Sequence, residues 1–396
     1  MINPSKTKDF FGRFGVSYKD GNTIFAYDEI THGLYKLSLR YKEASLLLSP
    51  MEIHKYTSGR IQGISKINNE IILVPQSVGS KWILYNIEEK TFKYFLPFEV
   101  NTKISGVITI DRYLYLVPLN TNEPIIILSL DGFKIIKKYD DWYGKISDRT
   151  DEGNSIYGVS SFGDFVVFPI VGSNCIVYLN IENVNMITLD IRCQIHSASM
   201  HKDKFWILPV SGKYLYAVDF KGTIINRVNL NSIKAEILAN DFARIVATEE
   251  LIFLFPVNEG IVYAYQIKKN ALIKMKTKEK PLVGSIFVKV GAAYWEYLIE
   301  DEILHLLPCN YPYKTIDIKT LRIKEYNLCY GNNINDSKYW KIAEQVHGGR
   351  IYKEWKRDLE EFIQFEGYFC GKHYMNEENK IGMQIWKKLQ KSDFIG

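Results

Sequence analysis

The sequence predicts an all-β chain in which a four-stranded unit recurs about seven times and closes on itself. Three observations carry that prediction. A short apolar run ending in proline recurs six times: IILVP to Pro75, YLYLVP to Pro118, FVVFP to Pro169, FWILP to Pro209, LIFLFP to Pro256 and ILHLLP to Pro308. Successive prolines lie 40 to 52 residues apart, a spacing too long for leucine-rich repeats, and the units lack the helical periodicity of helical arrays. An apolar–variable–small tripeptide precedes four of these runs: Ile61-Gln62-Gly63, Ile104-Ser105-Gly106, Ile156-Tyr157-Gly158 and Ile195-His196-Ser197. Its third residue stands 12, 12, 11 and 12 positions before the proline. Phe242-Ala243-Arg244 keeps the position, 12 before Pro256, without the small residue.

Within each unit the elements follow in a fixed order. The proline gives way to a polar stretch and a second apolar strand: QSVGSK then WILYN, or VSGK then YLYAVD, with CIVYLN after Pro169 and IVYAYQ after Pro256. Apolar strand, polar turn and apolar strand make a β-hairpin. Proline at a strand's end costs little where the ladder stops and no N–H is needed. A further strand of alternating character follows, as in TFKYFL, FKIIKKY, NMITLDI, TIINRVNL and ALIKMK. The stretch from Gly15 to Leu48 repeats the pattern without its proline (GVSYKDG, TIFAYD, GLYKLSL, EASLLL), and the unit ending at Pro308 continues with TIDI and LRIKEYN. Seven units result. Six or eight also fit, because residues 277–300 do not phase, and the pattern shows no exchange of terminal strands between first and last units.

After about Asn332 the period changes from 2 to 3.6. Asp336 or Ser337 caps a helix carrying Trp340, Ile342 and Val346; Trp355, Leu359, Phe362 and Ile363 form a second apolar stripe, and Ile381, Ile385, Trp386 and Leu389 a third. The chain thus divides into a β array over 1–331 and an α-helical C-terminal extension over 332–396, which packs on the array or contacts a partner. Glu354, Asp358, Glu360 and Glu361 on the second helix oppose an anionic lipid surface.

Composition narrows the class. Aromatics reach 14%, with 27 Tyr and 21 Phe, which favours strands over helices. A net charge of +5 over 396 residues is no nucleic-acid footprint, and the densest basic stretch, KMKTKEK from Lys274 to Lys280, reads as a solvated loop. Five scattered cysteines (Cys175, Cys193, Cys309, Cys329, Cys370) read as reduced thiols rather than a disulfide framework. The opening MINPSKTKDFFGRFG has no secretory apolar core, and no run approaches the roughly 20 apolar residues that cross a bilayer. A cytoplasmic protein without nucleic-acid partner or membrane insertion is expected, and the Ile-, Lys- and Asn-rich composition suggests an AT-rich bacterial genome.

Across about residues 12–330 the chain resembles the β-propeller repeat superfamily, and its count makes it a seven-bladed β-propeller with a short α-helical extension. No subgroup motif is present. No unit ends in the Trp-Asp of WD40 repeats, Asp141-Trp142 being reversed and in a loop; Gly348-Gly349, the kelch-like pair, lies outside the array; and the sialidase Asp-box is absent. The resemblance implies a toroid around a channel, a scaffold that hosts lectins, scaffolding proteins, hydrolases and lyases alike.

Two regions are candidates for function. The stretch YDDWYGKISDRTDEGNSIY, from Tyr139 to Tyr157, is the longest inter-unit connection. It sets Asp141 and Trp142 together, a combination suited to stacking on a sugar ring and accepting its hydroxyls, or else a solvated acidic loop with an anchoring Trp. The second region is the middle residue of each tripeptide. If the innermost strands open at the channel mouth, Gln62, Ser105, Tyr157 and His196 ring that mouth, with Arg60 and Arg244 beside them; one varied position per blade is how a repeat scaffold builds a specific pocket. The plainer reading is that they satisfy channel waters. Cys193/His196 and Cys370/His373 share a C-x-x-H spacing without the second half of a zinc site, and His201 with Asp203 reads as a solvated hairpin. No phosphate loop, nucleophile elbow or HExxH occurs, so neither cofactor nor metal is expected. Two functions follow. One is a non-catalytic scaffold binding a protein or carbohydrate ligand at the mouth; the other is a glycan hydrolase or lyase using Tyr157, His196, Arg244 and the Asp141 region.

Overall fold

The computed structural model describes residues 14–28, 32–41, 43–49, 52–53, 55–57, 60–98, 102–144, 153–190, 194–230, 242–256, 261–275, 296–307, 313–326 and 328–330. The helices expected over 332–396 lie outside the described residues. The rest is a seven-bladed β-propeller. Each blade is built on four antiparallel strands that follow chain order from inside outward. The inner strands are Phe14–Asp20, Ile61–Ile67, Ile104–Ile110, Ser160–Phe162, Ile195–His201, Phe242–Ala247 and Tyr297–Glu300.

The apolar runs are continuous because the second strand is covered on both faces. In blade 2, Ile71 and Leu73 pack toward blade 1 while Ile72 and Val74 pack toward blade 3. Seven such clusters lie among the described residues, one per seam, and the seventh joins Leu307 and Tyr313 of blade 7 to Ile24, Ala26 and Tyr35 of blade 1. That last seam decides the count at seven and closes the ring.

Closure also uses an exchange of strands that the sequence pattern did not reveal. The chain leaves blade 7 and adds a fifth, outermost strand to blade 1: Cys329 and Tyr330 pair in parallel with Glu43 and Ala44. Leu328, 8% exposed, seats this crossing in the seam between the two blades. Two residues give no period to detect, which is why the pattern is silent there.

The repeated tripeptide marks a β-bulge. Ile61 pairs with Pro75 and Gly63 with Val74, so Gln62 is the extra residue. The same extra residue is Gly15, Ser105, His196 and Ala243 in blades 1, 3, 5 and 6. In blade 4, Ile156 bridges Ile170 and Ser160 pairs with Val167, so the three residues Tyr157 to Val159 stand opposite two and the proline moves one place, hence the spacing of 11. Bulges bend a strand and re-aim a side chain, here at the start of the inner strands of blades 1 to 6. The proline fits for a related reason. Gln76 N–H bonds Arg60 C=O at 2.7 Å, so an N–H at position 75 would face the third strand, with which pairing has already ended at Leu73.

Candidate functional site at the channel mouth

Antiparallel order puts the starts of all inner strands on one face, together with the loops after the prolines and the connections between blades. The bulged residues therefore all lie on the face where the inner strands start. Gln62 and Ser105 are tied into the framework. Gln62 Nε2 donates to Ser105 C=O at 2.5 Å, and Ser105 Oγ donates to Ile156 C=O at 2.5 Å, lacing blades 2, 3 and 4 together. Tyr157 and His196 occupy the equivalent half-buried positions in blades 4 and 5. Arg60 precedes the bulge of blade 2, exposed at the rim.

The third tripeptide residue, fifth back from the hairpin turn, faces the fourth residue of the next blade. A Cβ on Gly63 would stand 2.3 Å from Val107 Cβ, and one on Gly106 2.8 Å from Val159 Cβ. At these two positions glycine is thus required by close approach of the next blade. Val16 instead packs with Ile64 in a common cluster, and Ser197 Oγ accepts from Ile245 N–H at 3.3 Å.

Blades 6 and 7 break the rule with charges, and the next blade supplies their partners. Arg244 lays its guanidinium 4.7 Å above the Tyr297 ring, which stacks in turn on Phe255 at 6.0 Å. Arg244 Nη2 also donates to Val159 C=O at 3.2 Å, reaching past blade 5 to blade 4. Glu296 Oε1 accepts from Ser17 N–H at 3.2 Å and Ser17 Oγ at 2.9 Å. Burial raises the Tyr297 phenol above its ordinary value; the Arg244 charge opposes the shift and the Glu296 charge adds to it. One guanidinium, one phenol and one carboxylate thus gather on the blade 6, 7 and 1 side of the mouth.

Tyr297 and Glu296 lie in the segment that did not phase. Counting 12 back from Pro308, the spacing that finds Gly63 and Arg244, lands on Glu296.

The long connection has a different part. Trp142 donates from Nε1 to Glu123 C=O at 3.0 Å and stands edge-on to Phe168 at 5.9 Å, inside the seam of blades 3 and 4. It is an anchor over the second and third strands, outside the inner ring. Asp141 beside it is exposed and accepts the Gly144 N–H on its backbone carbonyl at 3.3 Å. Residues 145–152 lie outside the described residues. The hairpin carrying His201 is less solvated than expected, since the imidazole packs edge-on to Phe162 at 5.0 Å and burial lowers its pKa. Cys193, Cys370 and His373 lie outside the described residues, among which no group of three potential ligands forms a metal site. Among the described residues no helix is long and apolar enough to cross a membrane.

Strand order and seams define a seven-bladed β-propeller. No protein-family model matches the chain, and no curated protein matches it. Among solved structures it is similar to the computationally designed Ika8 protein, at 7% identity and a TM-score of 0.49 over 82% of this chain and 91% of that one. It is similar to BamB from Moraxella catarrhalis at 10% identity and a TM-score of 0.48, covering 76% of this chain and 83% of that one. PorZ, an essential surface component of the type-IX secretion system of Porphyromonas gingivalis, matches at 10% identity and a TM-score of 0.45, with 81% of this chain spanning 33% of that one. These are likenesses of architecture alone.

Proposed function

We propose that the protein is a non-catalytic binding propeller that takes a protein or glycan ligand at the channel mouth. The supporting observation is the side chains at the starts of the inner strands: Tyr157 and His196 at the bulges, Arg244 and Glu296 one residue further in, and Tyr297 two. Strands hold His196, Arg244 and Tyr297, so little conformational freedom is lost there on binding. Aromatic faces, a planar cation and a carboxylate recognise sugar rings and hydroxyls as well as peptide groups. Hydrolysis would call for a second carboxylate beside Glu296, and Asp141, anchored by its neighbour Trp142 away from the inner ring, gives that reading no support.

A glycan array followed by a thermal-shift screen tests the proposal. A sugar ligand raises the wild-type Tm and shifts Tyr157→Ala or Arg244→Ala much less. Silence across all sugars moves the reading to a protein ligand. A ligand whose affinity ignores every mouth substitution would overturn it.

A further inference from the structure

Six of the seven seams are bridged by the covalent connection from one blade's outer strand to the next blade's inner strand. The seventh, between blades 7 and 1, is closed without such a link. Its outer edge is held by the two-residue pairing of Cys329 and Tyr330 with Glu43 and Ala44. Its inner edge is held by polar contacts, Glu296 to Ser17 and Lys19 to Glu300. Between them lies a buried histidine. His305, 6% exposed, shares a hydrogen bond between Nδ1 and the hydroxyl of Tyr313, which is itself fully buried.

We propose that this seam is an acid-sensitive closure, in which protonation of His305 opens the ring between blades 7 and 1 before any other seam yields. The groups facing the imidazole are unfavourable to a second positive charge. Lys19 projects from the inner strand of blade 1, ion-paired to Glu300 of blade 7, with Asp301 adding its field. Tyr313 and, behind it at 5.6 Å, Tyr326 come from the outer half of blade 7, and Ile24, Ala26, Tyr35 and Leu37 of blade 1 complete the wall. Lys314 and Glu325 pair on the opposite face of the blade. Burial, followed by the Lys19 charge, pushes His305 down to about 4.

The sign follows from the two states. Open, the imidazole regains an ordinary value near 6.5; closed, it stays neutral until about 4. Closure is therefore at full strength above about pH 6.5 and is lost by up to about 10-fold per pH unit down to pH 4, about 300-fold in all. Glu296 spans this seam and Tyr297 stands next to it, so opening also dismantles the charged side of the mouth.

Hydrogen exchange of the full chain, corrected for the intrinsic pH dependence of exchange, distinguishes the proposal. Between about pH 7 and pH 4.5, peptides over 14–28, 43–48 and 297–317 should lose protection while blades 3 to 5 keep theirs. His305→Gln, which retains a hydrogen-bonding side chain and cannot charge, should flatten the response. Should that variant fail to fold, Lys19→Met, which removes the opposing charge together with its ion pair to Glu300, should shrink the loss of protection between about pH 7 and pH 4.5, measured against its own value at the upper pH. Loss of protection spread evenly over all blades, an unchanged acid response in His305→Gln, or an undiminished response in Lys19→Met would overturn it.

Discussion

Replacing Gly63 with alanine tests the rule that sets the repeat. The added methyl would stand 2.3, 2.5 and 2.8 Å from Val107 Cβ, Cγ2 and Cγ1, against the 3.4 Å or more of ordinary contact. Gly63 shows no left-handed backbone, so the cost is steric alone. Blades 2 and 3 must part by about 1 Å at this level, an overpacking worth about 1–3 kcal/mol. The nearest atom is a Cβ, which makes the rescue selective. Val107→Ala keeps that carbon and should not restore stability, whereas Val107→Gly removes all three clashing atoms. A double-mutant cycle by urea unfolding should give a favourable coupling of at least about 1 kcal/mol for Gly63→Ala with Val107→Gly. Gly158→Ala is the contrast. Nothing lies within 4 Å of its added methyl, but its φ is +66°, so it should lose about 1–2 kcal/mol of backbone preference that no neighbouring change recovers. The close-approach rule falls if Gly63→Ala lies within about 0.5 kcal/mol of wild type, or if Val107→Ala rescues it as well as Val107→Gly.

Three further outcomes follow from the same contacts. Ser105→Ala frees the Ile156 carbonyl and should cost about 1 kcal/mol in urea unfolding, with Tyr157 the side chain next to the change. Truncation after Asn327 removes Leu328 and the fifth strand of blade 1, and should destabilise by about 2–3 kcal/mol relative to truncation after Gly331; equal melting temperatures would make that strand incidental. Trp142→Ala should cost about 3–5 kcal/mol, while Asp141→Asn should stay within about 0.5 kcal/mol, separating an anchor from its exposed neighbour; a large loss from Asp141→Asn would return that carboxylate to consideration as a functional group.

The fold was legible because its packing repeats. Both faces of every second strand are buried, so IILVP and LIFLFP run unbroken, and the bulge with its proline partner recurs at nearly constant spacing. What escaped was either short or irregular. The closing strand is two residues long, and its pairing is fixed by where the chain end passes rather than by any pattern. The mouth was half legible. Phase alone puts Arg244, Tyr157 and His196 at the starts of inner strands, but the role of Gln62 and Ser105 as laces depends on distances across blades. Trp142 reads equally well in sequence as a sugar platform or a core anchor; only its seat against Phe168 separates the two.

The departures from the repeat are the better guide to function. At the fifth position back from each hairpin, glycine in blades 2, 3 and 4 gives way to serine, arginine and glutamate in blades 5, 6 and 7. A packing requirement alone would be met by a small residue in all of them, as Gly63 and Gly106 show. The two charged residues were accommodated by matching changes on the next blade, a ring for Arg244 and a serine for Glu296, so the exception involves two partners each time. Sites where a sequence breaks its own structural rule and compensates locally are where function is expected. Under the proposed function the working side of the entrance is on blades 6, 7 and 1, beside the one seam that no outer-to-inner strand connection bridges, so a ligand there would bear directly on whether the ring stays closed.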